Sequence, residues 1–249
     1  MLQRSHKSIH SSPFIGRLPK PFIRPGFLCS ADGVLLSDLI LFVDGEAIVV
    51  DKPAGLPVDT PRRGGESILA RIEELKCGFK RPPTPMHRLD TDTSGCLLFA
   101  RSPKARARFQ QAFEARVVEK YYIAVVAAEV PQEAGVIDMP LAKHSSAEAG
   151  WKMVPDPHGL AAQTRWRRLA VRDGSALVQF QPLTGRTHQI RAHAREAFGR
   201  GIVGDRVYGI PGGPMLLHAS RLVVPREGKP PIDVAAPLPD YFGEWRDAA

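Results

Sequence analysis

The run His87-Arg88-Leu89-Asp90-Thr91-Asp92-Thr93-Ser94-Gly95 sets a histidine, an arginine and two carboxylates in front of an apolar stretch, Cys96 to Ala100. Arginine beside a carboxylate favours the ionised form, while burial works the other way, so an acid here can be held as an oriented anion. Such an anion is a competent nucleophile. Asp90 and Asp92 both qualify. At i and i+2 of one turn they do not easily flank a glycosidic bond from opposite sides, as a two-carboxylate mechanism requires at roughly 5–10 Å separation. One acid with one arginine partner is geometrically simpler, and the other acid is then part of the turn. Chemistry alone leaves the choice between them open.

A second polar cluster lies at Gly185 to His193, "GRTHQIRAH". A helix is expected from near Thr187, with Ile190, Ala194, Ala197 and Phe198 on its apolar face and Gly199 as its stop. His188, Arg191 and Arg195, at i, i+3 and i+7, then share the opposite face as a cationic ridge, for which a solvated basic face is the plain alternative. His87, Asp90, Asp92, His188 and His193 are metal-ligand types. However, His188 and His193 are five apart, not the four that aligns two imidazoles on a helix, and no metal is expected. Arg62 to Gly65, "RRGG", lacks the Lys-Ser/Thr of a nucleotide phosphate loop. Cys96 reads as a small core residue.

These clusters need elements to hold them. Asp44-Gly45 joins two β-rich runs from Leu39 to Lys52, a hairpin signal resting on glycine's ease with positive φ. Pro53 and Gly55 end the second run. Ile68, Leu69, Ile72 and Leu75 have helical spacing, with Gly78 as a stop. Ser102-Pro103 caps another helix, whose apolar face is Ala105, Phe109, Ala112 and Phe113. Residues 119–127 read as a strand, 143–160 as a long surface loop, and 163–183 as two strands about Asp173-Gly174. Late strands fall at 215–224 and 232–238. Hairpins interleaved with a few helices imply one α+β domain on a mostly antiparallel, mixed sheet.

The 249 residues carry a net charge of +8 and an isoelectric point near 9.7, which suits a polyanionic partner or simple solubility. No apolar run approaches the ~18 residues of a membrane span. Three widely spaced cysteines without a CxxC pair fit a reducing, cytoplasmic setting. Residues 1–26 hold Arg, Lys, Ser and four prolines but no acid; the prolines oppose a targeting helix, so residues 1–38 are expected to form a flexible basic arm.

The motifs resemble those of the RluA-type RNA pseudouridine synthases. "HRLDTDTSGCLLFA" is similar to that family's central motif, and the others occur in its order: "VVDKPAGLPV", "KYYIAVV", "AQTRW", "GRTHQIRAH", "GDRVYG", "LLHASRL" and "APLPDYF", over about residues 40–242. The resemblance implies a pseudouridine-synthase-like domain over residues 39–249, with a central cleft and flanking helices. The implied reaction breaks the glycosidic bond of a uridine at N1, turns the uracil and rejoins it through C5, without cofactor or metal. By position, Asp90 is the implied nucleophile. Tyr122 lies against the base and is the candidate to remove the C5 proton, and Arg191 is the ion-pair partner of Asp90. Arg88 helps hold the flipped-out nucleotide or fills its place in the stack; His87, Arg186, His188 and Gln189 are further RNA-binding candidates. Asp92 becomes turn structure. Flipping suits this chemistry, since a stacked or paired uracil hides both its glycosidic face and C5.

The implied partner is RNA, either tRNA or rRNA, bound by a monomer that is not attached to a membrane. A catalytically silent RNA-binding protein and a metal-dependent RNA hydrolase are the rival readings. Two departures stand out. The roughly 38 residues ahead of the core are too few for an S4-like domain, and Arg200-Gly201 replaces the family's frequent His-Pro pair, which is expected to loosen that loop. Residues 143–160 match nothing specific in the family and are a place where substrate choice could sit.

Overall fold

Two strands, β1 (Ile40–Val43) and β2 (Ala47–Lys52), form the hairpin about Asp44-Gly45. Gly45 is not in the positive-φ region. The turn is instead closed by the Asp44 side chain, whose Oδ1 accepts from the backbone N–H groups of Glu46 and Ala47 at 2.8 and 2.9 Å. The computed structural model describes residues 33–146 and 150–249. Most of the expected basic arm, residues 1–32, lies outside the described residues. The folded unit begins ahead of Leu39, because Leu36 in the 3-10 turn Leu36–Leu39 is wholly buried among Ile48, Val50 and Leu75.

Along the chain follow β3 (Thr84–Pro85), β4 (Ser94–Ala100), helix α1 (Pro103–Glu114), β5 (Glu119–Val126) and β6 (Ala134–Asp138). Then come β7 (Leu141–Ser146), β8 (Gly150–Pro155), β9 (Gln163–Arg172), β10 (Ser175–Pro182), helix α2 (Gln189–Phe198), β11 (Leu217–Val224) and β12 (Ile232–Ala235). Ten strands make one mixed sheet in the order β1-β2-β4-β11-β5-β10-β9-β6, with β3 on β4 and β12 on β11. Among the strands of the described residues, only β4 and β11 pair in parallel. The α+β architecture on a mostly antiparallel sheet is therefore as the sequence implies. Among the described residues, no helix is long and apolar enough to cross a membrane.

Strand β4 is buried at all seven positions, as a strand with both faces covered must be. Leu98 joins Val49, Ala105 and Phe109 under α1, which Ser102 caps by accepting from Ala105 N–H at 3.2 Å. Leu97 and Phe99 face the other way, toward Ile48, Val50 and Ile68. Gly95 is obligatory where β4 meets β11: its φ is 107°, and a Cβ there would lie 2.3 Å from the Ala219 carbonyl oxygen. The glycine of "TSG" thus sets how closely the Asp90 turn approaches β11.

Three expectations change. Residues 67–76 form no α-helix, only the 3-10 turn Ile72–Leu75. The amides of Ile68 and Leu69 donate to Pro57 and Val58 carbonyls, and the following bonds tighten to i→i−3. Residues 143–160 are no loop over most of their length, since β7 and β8 pair as a separate two-stranded sheet. Nor is the loop at Arg200-Gly201 loosened. Gly201 is buried, its carbonyl accepts from Ala127 N–H at 3.1 Å, and a Cβ there would lie 2.3 Å from the Tyr208 carbonyl oxygen.

Candidate active site

The turn between β3 and β4 carries Asp90, and α2 brings its first turn to meet it. That helix starts at Gln189 rather than Thr187, because His188 takes a left-handed backbone conformation, φ 52°, and reverses the chain into the helix. Ile190 and Ala194 pack on the sheet with Phe180, as the periodicity implies, whereas Ala197 is exposed. The expected cationic ridge does not exist as such: Arg195 is exposed, but Arg191 is buried. A buried guanidinium needs anionic partners. Arg191 Nε and NH2 donate to the two oxygens of Asp205 at 2.7 and 2.8 Å, and NH1 donates to Asp90 Oδ2 at 2.9 Å. Burial opposes the charge on Arg191, but the two carboxylates outweigh it and push its pKa up.

Asp205 itself is wholly buried. Its Oδ1 also accepts from the Val207 and Tyr208 amides at 2.8 and 3.1 Å, so despite burial its carboxyl is held below the ordinary range by Arg191 and these donors. The result is a rigid relay: a loop anchors Asp205, Asp205 orients Arg191, and Arg191 fixes one oxygen of Asp90. Asp90 keeps a quarter of its side chain exposed. It is anchored on one side and open on the other. Asp92, two residues on, is exposed and makes no hydrogen bond or ion pair with the described residues.

Tyr122 on β5 sits opposite Phe180 and packs against the core on the Asp90 face of the sheet. Its phenol is pushed well above the ordinary value by burial and by the charge of Asp90, so it is neutral at physiological pH. Lys52, at the end of β2, is fully buried. It ties the turn down by donating to the carbonyls of Pro53 and Leu56 at 2.8 Å and of Thr91 at 3.0 Å. Burial lowers its pKa to about 7, against the pull of Asp92, Asp90 and Asp51.

His188 lies beside this group, with Nε2 3.8 Å from Asp90 Oδ2 and Nδ1 3.0 Å from the Tyr208 hydroxyl. The Tyr208 hydroxyl also accepts from Met153 N–H on β8 at 2.7 Å. Burial lowers the His188 pKa, partly offset by Asp90.

The other candidates have different surroundings. His87 accepts from Leu98 N–H at 3.1 Å and packs on Phe113; burial lowers its pKa to about 3, which keeps it a neutral brace for β4. Gln189 is buried and engages Thr184, Arg186, Gln163 and Thr164, which makes it a support for α2. Arg88 is exposed and pairs with Asp59 at 2.9 Å. Arg186 donates to the Ala161 carbonyl at 3.0 Å. His193 is buried between Thr164 and the Met139 carbonyl, away from any ligand role beside His188. Among the described residues, no group of three or more His, Cys, Asp or Glu could hold a metal.

Residues 46–196 match the sequence model of the RNA pseudouridylate synthases. The chain belongs to that family. It is 46% identical over 212 residues to an uncharacterized RNA pseudouridine synthase of Zymomonas mobilis, covering 84% of this chain and 97% of that one. It is 36% identical over 179 residues to the ribosomal large subunit pseudouridine synthase C of Vibrio vulnificus, covering 70% and 54%. The human RNA pseudouridylate synthase domain containing 4 superposes with a TM-score of 0.70 at 27% identity, over 83% of this chain and 91% of that chain. The RluA-type resemblance of the motifs thus holds across the fold, and this chain is an RNA pseudouridine synthase, an isomerase.

Proposed function

We propose that this synthase isomerises a specific uridine of a structured tRNA or rRNA, flipped into the site and attacked by Asp90, with residues 39–249 as the catalytic domain. The observation that carries the reading is the asymmetry of Asp90: one oxygen held by the buried Arg191, the rest of the carboxylate open. Arg191 keeps the acid ionised and aimed, which is what a carboxylate nucleophile requires. The attack releases the N1–C1′ bond; after the uracil turns, a C5–C1′ bond forms, C5 loses its proton and N1 gains one. Tyr122 takes the C5 proton. As a neutral phenol it does so by passing on its own, and Asp90, the anion that raises its pKa, is the acceptor once it is free of substrate; Asp90 then releases that proton to water, which supplies the one N1 gains, so the carboxylate is restored. His188, with Nε2 3.8 Å from Asp90 Oδ2, lines the same carboxylate.

RNA carrying tritium at uracil C5 tests the assignment. Wild type releases tritium, Asp90→Asn releases none above background, and Asp92→Asn releases it at close to the wild-type rate. Release by Asp90→Asn at the normal rate removes Asp90 as nucleophile, and chelator-resistant release removes the metal-dependent alternative.

A further inference from the structure

The β7–β8 hairpin brings one large aromatic side chain to the rim of the site. Trp151 stands on β8, and its ring stacks on His188 with centroids 4.8 Å apart and planes 18° from parallel. It nevertheless remains 42% exposed. The indole is seated on a polar ring that itself lies against Asp90. The arrangement is held from beneath. His188 meets the Tyr208 ring edge-on at 5.6 Å, and the Tyr208 hydroxyl bonds both His188 and Met153, two residues along β8 from Trp151. Side chains of one strand alternate, so Trp151 and the buried Met153 face the body together. The charge around the indole is of one sign. Lys143 on β7 has its ammonium 5.0 Å from the ring centroid, and Lys152 is exposed on the next position of β8. Among the described residues, neither lysine has a carboxylate partner.

We infer that Trp151 is a specificity-determining residue: a stacking platform for an unpaired base of the RNA strand, neighbouring the uridine at Asp90. An exposed aromatic ring flanked by lysines is the combination that binds single-stranded nucleic acid, the ring taking a base and the cations its phosphates. The order of the layers decides which base. His188 stands between the indole and the Asp90 carboxylate, so the base on Trp151 is a neighbour of the reacting one. An incoming base exchanges the cation–π contact of Lys143 for stacking, and leaves that ammonium beside the strand's phosphates. The platform therefore favours targets whose neighbouring nucleotide is unpaired, such as a loop, over a continuous duplex. This inference rests on the functional reading above.

The test uses the full chain with two probes, a decamer of oligouridylate and an RNA duplex of ten base pairs, each titrated with the protein. The protein has three tryptophans, and quenching of emission by oligouridylate is lost in Trp151→Phe while binding is largely kept. Trp151→Ala weakens oligouridylate binding by roughly 5- to 150-fold, the range found for losing one stacked base, and leaves duplex binding within twofold. Equal weakening of both probes, or oligouridylate binding unchanged in Trp151→Ala, overturns the platform. Far-UV circular dichroism and the retained binding of Trp151→Phe separate a lost contact from a lost fold. Neither readout needs turnover, so failure of wild type to release tritium would count against the proposed reaction, whereas normal tritium release with unaltered Trp151→Ala binding would count against the platform alone.

Discussion

The two sides of the Asp90 pocket are built on opposite plans. On the sheet side, β4 is buried at every position, and Asp90, Arg191 and Asp205 form a chain of charged hydrogen bonds at 2.7–2.9 Å. On the hairpin side, β7 and β8 form a sheet of their own, exposed over most of their length, joined to the body through Tyr208, His188 and a few buried side chains such as Met153. The contrast matches a division of labour. Chemistry needs an acid fixed to within a fraction of an ångström, and buried ion pairs give fixity at the cost of tolerance. Recognition of a pliable strand tolerates movement, and an exposed aromatic on a short hairpin supplies contact area without demanding one geometry.

The largest effect should come from breaking the rigid side. Asp205→Asn takes a full charge from behind Arg191 and leaves the guanidinium, buried, with Asp90 as its one anionic partner. Loss of one member of a buried ionic group costs about 3–5 kcal/mol, measurable by urea unfolding. Released from its fork, Arg191 no longer sets the Asp90 oxygen, and a misplacement of that kind lowers turnover by about 100-fold. Acidification reproduces the stability change in wild type. Asp205 has a depressed pKa in the folded state, so its contribution is complete above the ordinary value of 3.8 and disappears as pH falls through the lower folded value. Near-normal turnover in Asp205→Asn would mean that Asp90 is aimed by something other than this chain of contacts.

Tyr208→Phe, smaller in effect, probes the joint between the two sides. It deletes the hydroxyl that accepts from Met153 and meets His188, leaving a buried N–H unpaired at a cost of about 1–3 kcal/mol. Hydrogen exchange should quicken in β7 and β8 and stay unchanged in β4, with turnover reduced less than in Asp205→Asn. Equal acceleration in β4 would show that the two sides are not separable.

The sequence displayed the rigid side far better than the pliable one, for physical reasons. The strand of Cys96 to Ala100 is a continuous apolar run, and the helix after Ser102 carries a cap, a first-turn proline and a face at regular spacing. The resemblance implied roles for Asp90, Tyr122 and Arg191; in the structure Arg191 bonds Asp90, and the Asp90 charge acts on the Tyr122 phenol. Asp205 and Tyr208 stood inside a quoted motif with no assigned role, because each acts through a tertiary contact that no periodicity records; the buried arginine on α2, in need of a second anion, was the available signal. Residues 66–78 had helical spacing, but their amides answer to the Pro57–Val58 loop. The hairpin was hidden for the opposite reason. Lys143, His144, Ser145 and Ser146 have no apolar alternation, and β7 is held by pairing with β8 and by the Leu141–Leu160 bridge, not by an apolar face of its own.

The smallest expected effect lies on the pliable side and concerns salt more than strength. Lys143 is exposed, and among the described residues its ammonium is near the Trp151 ring rather than in an ion pair. If it reaches one phosphate of a bound strand, Lys143→Gln makes the logarithmic dependence of oligouridylate affinity on salt shallower by about 0.7, the counterions released per contact with a single strand. Tritium release at saturating RNA stays within twofold, because the lysine touches neither Asp90 nor Arg191. A hairpin that serves only to brace His188 would respond differently, with the salt slope unchanged and turnover reduced. The signs of these two readouts therefore distinguish a surface that holds RNA from one that merely supports the acid.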